Sequence, residues 1–431
     1  MKRVLIIITC LTGCTGTLDG DDAPTDDASI GGDAALDGAT TGDTTPPPGD
    51  GAPGDTATGG DTSAPPTDGG KPDEGTLDVG PCTTGLSTVD VATPKGTSGP
   101  VYAMAAPTGH TVIAWADGDG VKVRRVDALG ATSGLDATIA GTGVHGLAVS
   151  GDAVAVLVER APDVLSFVRV DLTGKPLADV QLTGKSDHAV VGSEWYAYSS
   201  TFAADGGRLA WTGSDYVAYF PIFRHWPDGI SHTGDTLRTL GLDGVAQGGG
   251  WSWGCSHSLD VRLAPGGTPV CLSDCYSQKA ILFSNSTVIS AEPSGNCAGS
   301  SNAALGGLVE VSDGFWLTYV SPEGRSSRDV ALVKLDKSGA PGTPSWLTSD
   351  PGDDSAAHLV AFGSGLLAGY RSAGSSWLVQ LDATGKTIGA PLSITASFRD
   401  KDDFFAWPGG DVGWVYPEGS TIHVHRYRAC K

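Results

Sequence analysis

The pentapeptide VDALG, Val126 to Gly130, ends a short apolar run, and its pattern returns as VDLTG (Val170 to Gly174), LDKSG (Leu335 to Gly339) and LDATG (Leu381 to Gly385). Each copy is an apolar residue and Asp, then two variable residues, then Gly. Glycine reaches positive φ without a steric penalty, so the pattern predicts a tight hairpin turn after a strand. A worn copy, LGLDG, ends at Gly244. Successive glycines stand 44, 70, 95 and 46 residues apart. The longest step holds two units, with LFSNSTVIS supplying the missing turn near Ser286. A unit of about 45 residues built from several short strands predicts a propeller blade.

The segments between these turns agree. TVIAWAD, VAVLVER, LSFVRVD, GFWLTYV, VALVKLD, SWLVQLD and TIHVHRY read as short alternating, period-two runs bounded by Gly, Asp, Pro and Ser, the pattern of strands and turns. No long amphipathic helix is legible. The chain ends in TIHVHRYRAC, a strand that stops where a VDALG-like turn would begin, and CTTGLSTVDVA near Cys82 reads as the end of such a turn and the strand after it. The first strand is therefore expected to complete the last blade. The fold class expected for residues 82–431 is all-β, a seven-bladed β-propeller closed by its N-terminal strand. The repeat resembles the degenerate propeller repeats of bacterial surface lipoproteins. That resemblance is architectural, covers about residues 82–431 and implies no specific activity. WD, kelch and sialidase Asp-box signatures are absent from the sequence.

Upstream of the repeats the chain changes character. It opens MKRVLIIITCLTGC, two cations followed by an apolar run and small residues, the layout of an export signal over residues 1–13. The run is too short for a permanent membrane helix, which needs about 20 apolar residues. Leu11-Thr12-Gly13-Cys14 resembles the lipobox of bacterial lipoproteins, which implies acylation of Cys14 and a membrane partner reached through the acyl chains. Residues 14–81 are mostly Gly, Asp, Thr, Pro and Ala without an aromatic residue, and Thr15 to Pro81 carries 15 acidic side chains against Lys71. Such a segment cannot bury enough apolar surface to offset the entropy of ordering, so it reads as a disordered linker or stalk. The whole chain has a formal charge of −22 and no basic patch, which argues against nucleic acid as a partner. Thr15 is not the aspartate that signals inner-membrane retention in some bacteria, so the expected location is the cell envelope, anchored to the outer membrane.

Six cysteines remain beyond Cys10 and Cys14, an even number suited to disulfides in an exported chain. Closure of the ring would set Cys82 beside Cys430. LDVRLAPGGTPVCL reads as a hairpin turning at Pro265 to Gly267, whose continued register puts Cys255 nearly opposite Cys275 and leaves Cys271 for Cys297. A Cys255–Cys271 pair is the rival. A zinc site from Cys255, His257, Cys271 and Cys275 is the functional alternative, although thiolates outside the cytoplasm tend to oxidise. No metal or cofactor is expected. GTGVHG, Gly141 to Gly146, matches the dinucleotide-binding glycines but precedes a strand, and neither HExxH nor GxSxG occurs.

The third unit is about 25 residues longer than its neighbours. The excess lies in KSDHAVVGSEWYAYSSTFAADGG, read as the loop into the blade, and in RHWPDGISHTGD, read as the loop between its second and third strands. With QGGGWSWGCSHS, these segments should crowd one sector of one face. They bring together Trp195, His225, Trp226, His232, Asp235, Trp251, Trp253 and His257 as candidate ligand contacts. Aromatic faces beside Asp and Gly suit sugar stacking and suit protein contacts equally well. His232, Asp235 and His257 are the residues an enzyme would use as acid, base or metal ligand; packing of a bulky loop explains all of them without chemistry. His145, His257 and His358 open innermost strands and are expected near the axial channel. Asp353, Asp354 and the RDKDD run from Arg399 to Asp403 read as solvated charge on the same face. Two main functions fit: a membrane-anchored extracytoplasmic binding or adhesion module for a carbohydrate or protein ligand, and a hydrolase or lyase acting on extracellular polymer. An envelope scaffold is the third.

Overall fold

The computed structural model describes residues 85–184, 195–198, 207–225, 231–251, 259–274, 279–284, 287–291 and 301–428. The chain divides into two units, Met1–Thr76 and Leu77–Lys431, and every described residue belongs to the second. The expected signal, Cys14 and the acidic linker lie outside the described residues. Among those described, no helix is long and apolar enough to cross a membrane.

Seven antiparallel sheets form a ring of blades. The first blade runs Ser98–Ala105, Thr111–Asp117, Gly120–Val126, Thr132–Ile139, each strand pairing with the next. The second begins at Gly143–Val149, the third has its inner strand at Arg208–Trp211, and the fourth begins at Asp260–Leu263. The fifth, sixth and seventh begin at Ala304–Val311, Ser355–Phe362 and Phe405–Ala406. Each inner strand touches the inner strand of the next blade, and the seventh touches the first. Gly85–Ala92 pairs with Thr421–Arg428 and supplies the outer strand of the seventh blade, as the chain ends suggested. Cys82 and Cys430 lie outside the described residues, so their pairing stays an expectation.

Each sheet is covered by a neighbour on both sides, so second strands are apolar along their length rather than alternating. Thr111–Asp117, Ala153–Ala161 and Gly314–Ser321 are buried over most or all of their residues, whereas the outer strand Thr387–Ile394 is almost entirely exposed. The repeated pentapeptides are the turns between third and outer strands. In the first, Gly130 N–H donates to Asp127 O at 3.1 Å and Asp127 N–H to Ala131 O at 3.0 Å; the side-chain Oδ1 of Asp127 accepts from the Leu129 and Ala131 amides. Asp171, Asp336 and Asp382 repeat this arrangement, and hydroxyl and amide donors hold their carboxyls below the usual range. In LGLDG the backbone turn persists with Gly241 in the aspartate's place. The turn expected near Ser286 lies outside the described residues, but the flanking strands Lys279–Phe283 and Thr287–Ala291 pair across it.

The glycines have a second role. Each packs against the preceding blade: a Cβ on Gly130 would meet Val89, one on Gly339 would meet Phe283, and one on Gly385 would meet Trp316.

The third blade departs from the expected long loops. Its second and third strands, Tyr216–His225 and Ser231–Leu240, are ten residues each. Most of FRHWPDGISHTGD is therefore hairpin strand, and only residues 226–230 between them lie outside the described set. Trp195–Tyr198 pairs with the far end of the second strand while Arg208–Trp211 pairs with its near end. Ala246–Trp251 is the outer strand rather than a loop. Polar and glycine-rich composition hid these strands, because backbone pairing rather than an apolar face defines them.

Gly339→Ala should lose stability twice over: about 1–2 kcal/mol for the left-handed backbone at φ +85° and roughly 1–3 kcal/mol for forcing a methyl within 1.8 Å of Phe283. Gly374→Ala, at φ +80° in open space, should lose only the first part. Urea unfolding midpoints of the two variants test the difference; equal losses would remove the inter-blade contact from the explanation.

Candidate functional site

The loop expected as solvated charge closes one mouth of the axial channel. Residues 399–403 lead into the inner strand of the seventh blade, yet their partners stand on the third and fourth blades across the ring. Arg208 opens the third blade's inner strand, and its Nε lies 2.8 Å from Asp403 Oδ2. Arg262, from the fourth blade, places Nε 3.3 Å from Asp403 Oδ1 and one terminal nitrogen 2.7 Å from Asp260 Oδ1. Backbone contacts tie the same loop down: Arg208 donates to Lys401 O at 2.8 Å, and Lys401 Nζ donates to Leu259 O at 3.1 Å. Arg399 and Asp402 pair within the loop at 2.7 Å. Burial raises the Asp402 carboxyl above its usual range against the pull of Arg399.

Arg208, Arg262 and Asp260 are buried while the Asp403 side chain is 37 % exposed, so desolvation cancels part of the attraction. What the pairs supply is position, since removing the aspartates would strand two buried guanidinium groups. Asp403 reads as free charge locally because its partners Arg208 and Arg262 are more than 130 residues away in sequence. Asp354 is also buried rather than solvated, and burial raises its carboxyl.

Two of the histidines expected at the channel differ in place. His358 lines it, 1 % exposed, with its ring stacked on Phe404 at 4.6 Å and edge-on to Phe398 at 5.0 Å. Burial, and then the charge of Arg262, push its pKa down to about 3, so the ring is neutral at ordinary pH. His145 sits at a bulge in the second blade's inner strand, with Nε2 2.9 Å from Glu159. His257 lies outside the described residues.

The third-blade candidates divide in the same way. Trp195 is paired with His225, Arg224 with His232, Pro221 with Asp235, and Thr236 with Trp251. Trp226 and Trp253 lie outside the described residues. Asp235 is fully buried and accepts a hydrogen bond from the Tyr219 hydroxyl, whose own pKa burial and the Asp235 charge drive far upward. Asp235 is thus set among core groups of the third blade. His225 is half-buried beside Phe223, and burial lowers its pKa against the nearby Asp163. Cys271 is buried with Tyr219, Val261 and Leu282, while Cys255, Cys275, Cys297 and the rest of the zinc alternative lie outside the described residues.

No family model matches the chain, and no curated protein matches it. Solved structures similar to it include a streptogramin B lyase, at 11% identity over 80% of this chain and 98% of that one, TM-score 0.44. The WD40 domain of Neurospora crassa Pan2 is 8% identical over 80% of this chain and 96% of its own, TM-score 0.48. The β-propeller domain of Myceliophteria thermophila Cps50 (Swd1) is 11% identical over 78% and 99%, TM-score 0.43. At these identities none of them bears on function.

The neutral His358 has a pH signature. The unfolded chain binds its proton below about pH 6.5 and the folded chain only near pH 3, so its contribution to stability is lost as pH falls through that window. Asp402, raised, acts in the opposite sense. His358→Phe keeps the aromatic stack and should flatten the fall in unfolding free energy between pH 6.5 and 4 by up to ~1.4 kcal/mol per unit relative to the unsubstituted chain. Chemical unfolding across that range measures it; parallel curves for the two proteins would place the histidine's proton elsewhere.

Proposed function

We propose that the protein is a membrane-anchored extracytoplasmic binding module whose ligand, a carbohydrate or a protein surface, is met by the extended third blade. One observation carries the reading. Among the described residues, the third blade alone has ten-residue second and third strands with an extra strand, Trp195–Tyr198, on the far end of that hairpin. A β-ribbon holds side chains at fixed spacing on a rigid base, which suits recognition. His225, His232 and Trp251 lie on this ribbon, and Trp226 follows His225 in the sequence. The anchor is Cys14, the acidic linker is the stalk, and Cys82–Cys430 staples the seam; these parts rest on the sequence.

Two measurements test the reading. A glycan array and a pull-down of isolated envelope proteins with the 77–431 unit should give a ligand whose binding falls at least tenfold in a Trp226→Ala, Trp251→Ala, His232→Ala variant of unchanged melting temperature. Equal binding by the variant would move recognition off this blade. Replacing Cys14 by Ala should shift the protein from the membrane fraction to the soluble fraction; unchanged membrane association would remove the lipid anchor.

A further inference from the structure

Beyond the plugged mouth, the axis of the ring is hollow. A cavity of about 430 Å³ is lined by residues from all seven inner strands or the segments leading into them. Exposure rises along it. Arg208, Arg262 and His358 are buried beside the 399–403 loop, whereas Glu310, Ala361 and Ala406 at the other end are exposed. The cavity is therefore a blind pocket that opens on the face opposite the plug. This is the face of the VDALG-type turns.

Its chemistry is graded as well. The walls between floor and rim are apolar, with Leu209, Leu308, Leu359 and Phe404 among them. At the floor, Arg208 and Arg262 are matched by Asp260 and Asp403, so the charges cancel within the protein. A charged ligand would have to break those pairs in a buried site, which disfavours it. The His358 ring adds a neutral polar group to the lining, near the backbone carbonyls of Arg399 and Asp402. Its Nε2 is buried without a hydrogen-bond partner among the described residues. A buried unpaired ring nitrogen is costly and calls for a neutral donor or acceptor.

We propose that the axial channel is a second binding site, for a small neutral apolar molecule that carries one hydroxyl group, entering from the turn face with the hydroxyl toward His358. Pockets of this size with apolar walls and few convergent polar groups are the usual form of small-ligand sites. The site is independent of the third-blade ribbon, which stands at the opposite mouth.

The test uses the full chain with Cys14→Ser, so that no acyl chain competes, and two probes of nearly equal shape, 1-naphthol and naphthalene. Calorimetric titration should show saturable binding of both, with 1-naphthol tighter by about five- to tenfold. His358→Phe should keep binding and abolish that preference. Ala361→Trp and Ala406→Trp, at exposed rim positions that folding tolerates, should each reduce binding of both probes at least tenfold. Absence of saturable binding by the folded chain, or binding that the rim substitutions leave unchanged, overturns the site. Equal affinity for the two probes, or a preference that survives His358→Phe, overturns the role of the histidine and with it the proposed ligand class.

Discussion

Seven sheets stacked in a circle have no free end only if the last blade is completed by the first strand. Here that closure is an eight-residue ladder, Gly85–Ala92 against Thr421–Arg428. It joins segments more than 300 residues apart, so its formation carries a large loop-closure entropy that only the completed ring returns. The ladder covers the edge of Thr421–Arg428 and leaves Gly85–Ala92 as the outer strand of the seventh blade. It is also where the next contact begins, because Gly130 of the first blade seats on Val89 of the closing strand. His423 reaches Asp90 at 2.7 Å and His425 reaches Thr88 at 2.8 Å across the same seam.

From that seam inward the two ends of the ring follow different physics. At the turn face the blades are spaced by backbone geometry: the recurring glycines allow the tight turn and the close approach of the neighbouring blade at once. At the other face the spacing is electrostatic. A loop from the seventh blade crosses the axis and is held by arginines of the third and fourth. Buried charge adds little net stability but specifies one arrangement, since any other leaves a charge unpaired.

This difference explains what was legible in the sequence. The turns are local, so Val126–Gly130 and its copies revealed blade length, blade count and closure. Positive φ at Gly130, Gly174, Gly339 and Gly385 follows directly from that pattern. The plug was not legible, because Arg208, Asp260, Arg262 and Asp403 come from three blades, and nothing near Asp403 in sequence announces an arginine partner. The third-blade strands were missed for a third reason. SHTGDTLRTL and AQGGGW lack an apolar alternation, and they are strands because Tyr216–His225 offers a complete partner edge. Asp235 was legible as a polar candidate but not as a core group, because the Tyr219 hydroxyl that donates to it is sixteen residues away in sequence.

The plug also bears on recognition. Arg208 belongs to the strand that pairs with Tyr216–Tyr219, the base of the hairpin whose far end carries His225 and Ser231. A ligand that tried to tilt the hairpin would drag Arg208 from Asp403 and expose the cost of a stranded carboxylate inside the channel mouth. The hairpin is therefore braced at its root by charges contributed from the opposite side of the ring. Bracing of this kind lowers the entropy lost on binding, so on the proposed reading affinity at the ribbon would depend less on ordering it and more on the contacts it makes. The same pairs would isolate the two mouths from each other. A molecule in the apolar channel meets a floor whose charges are already satisfied, and it has no leverage on the ribbon unless it displaces Asp403.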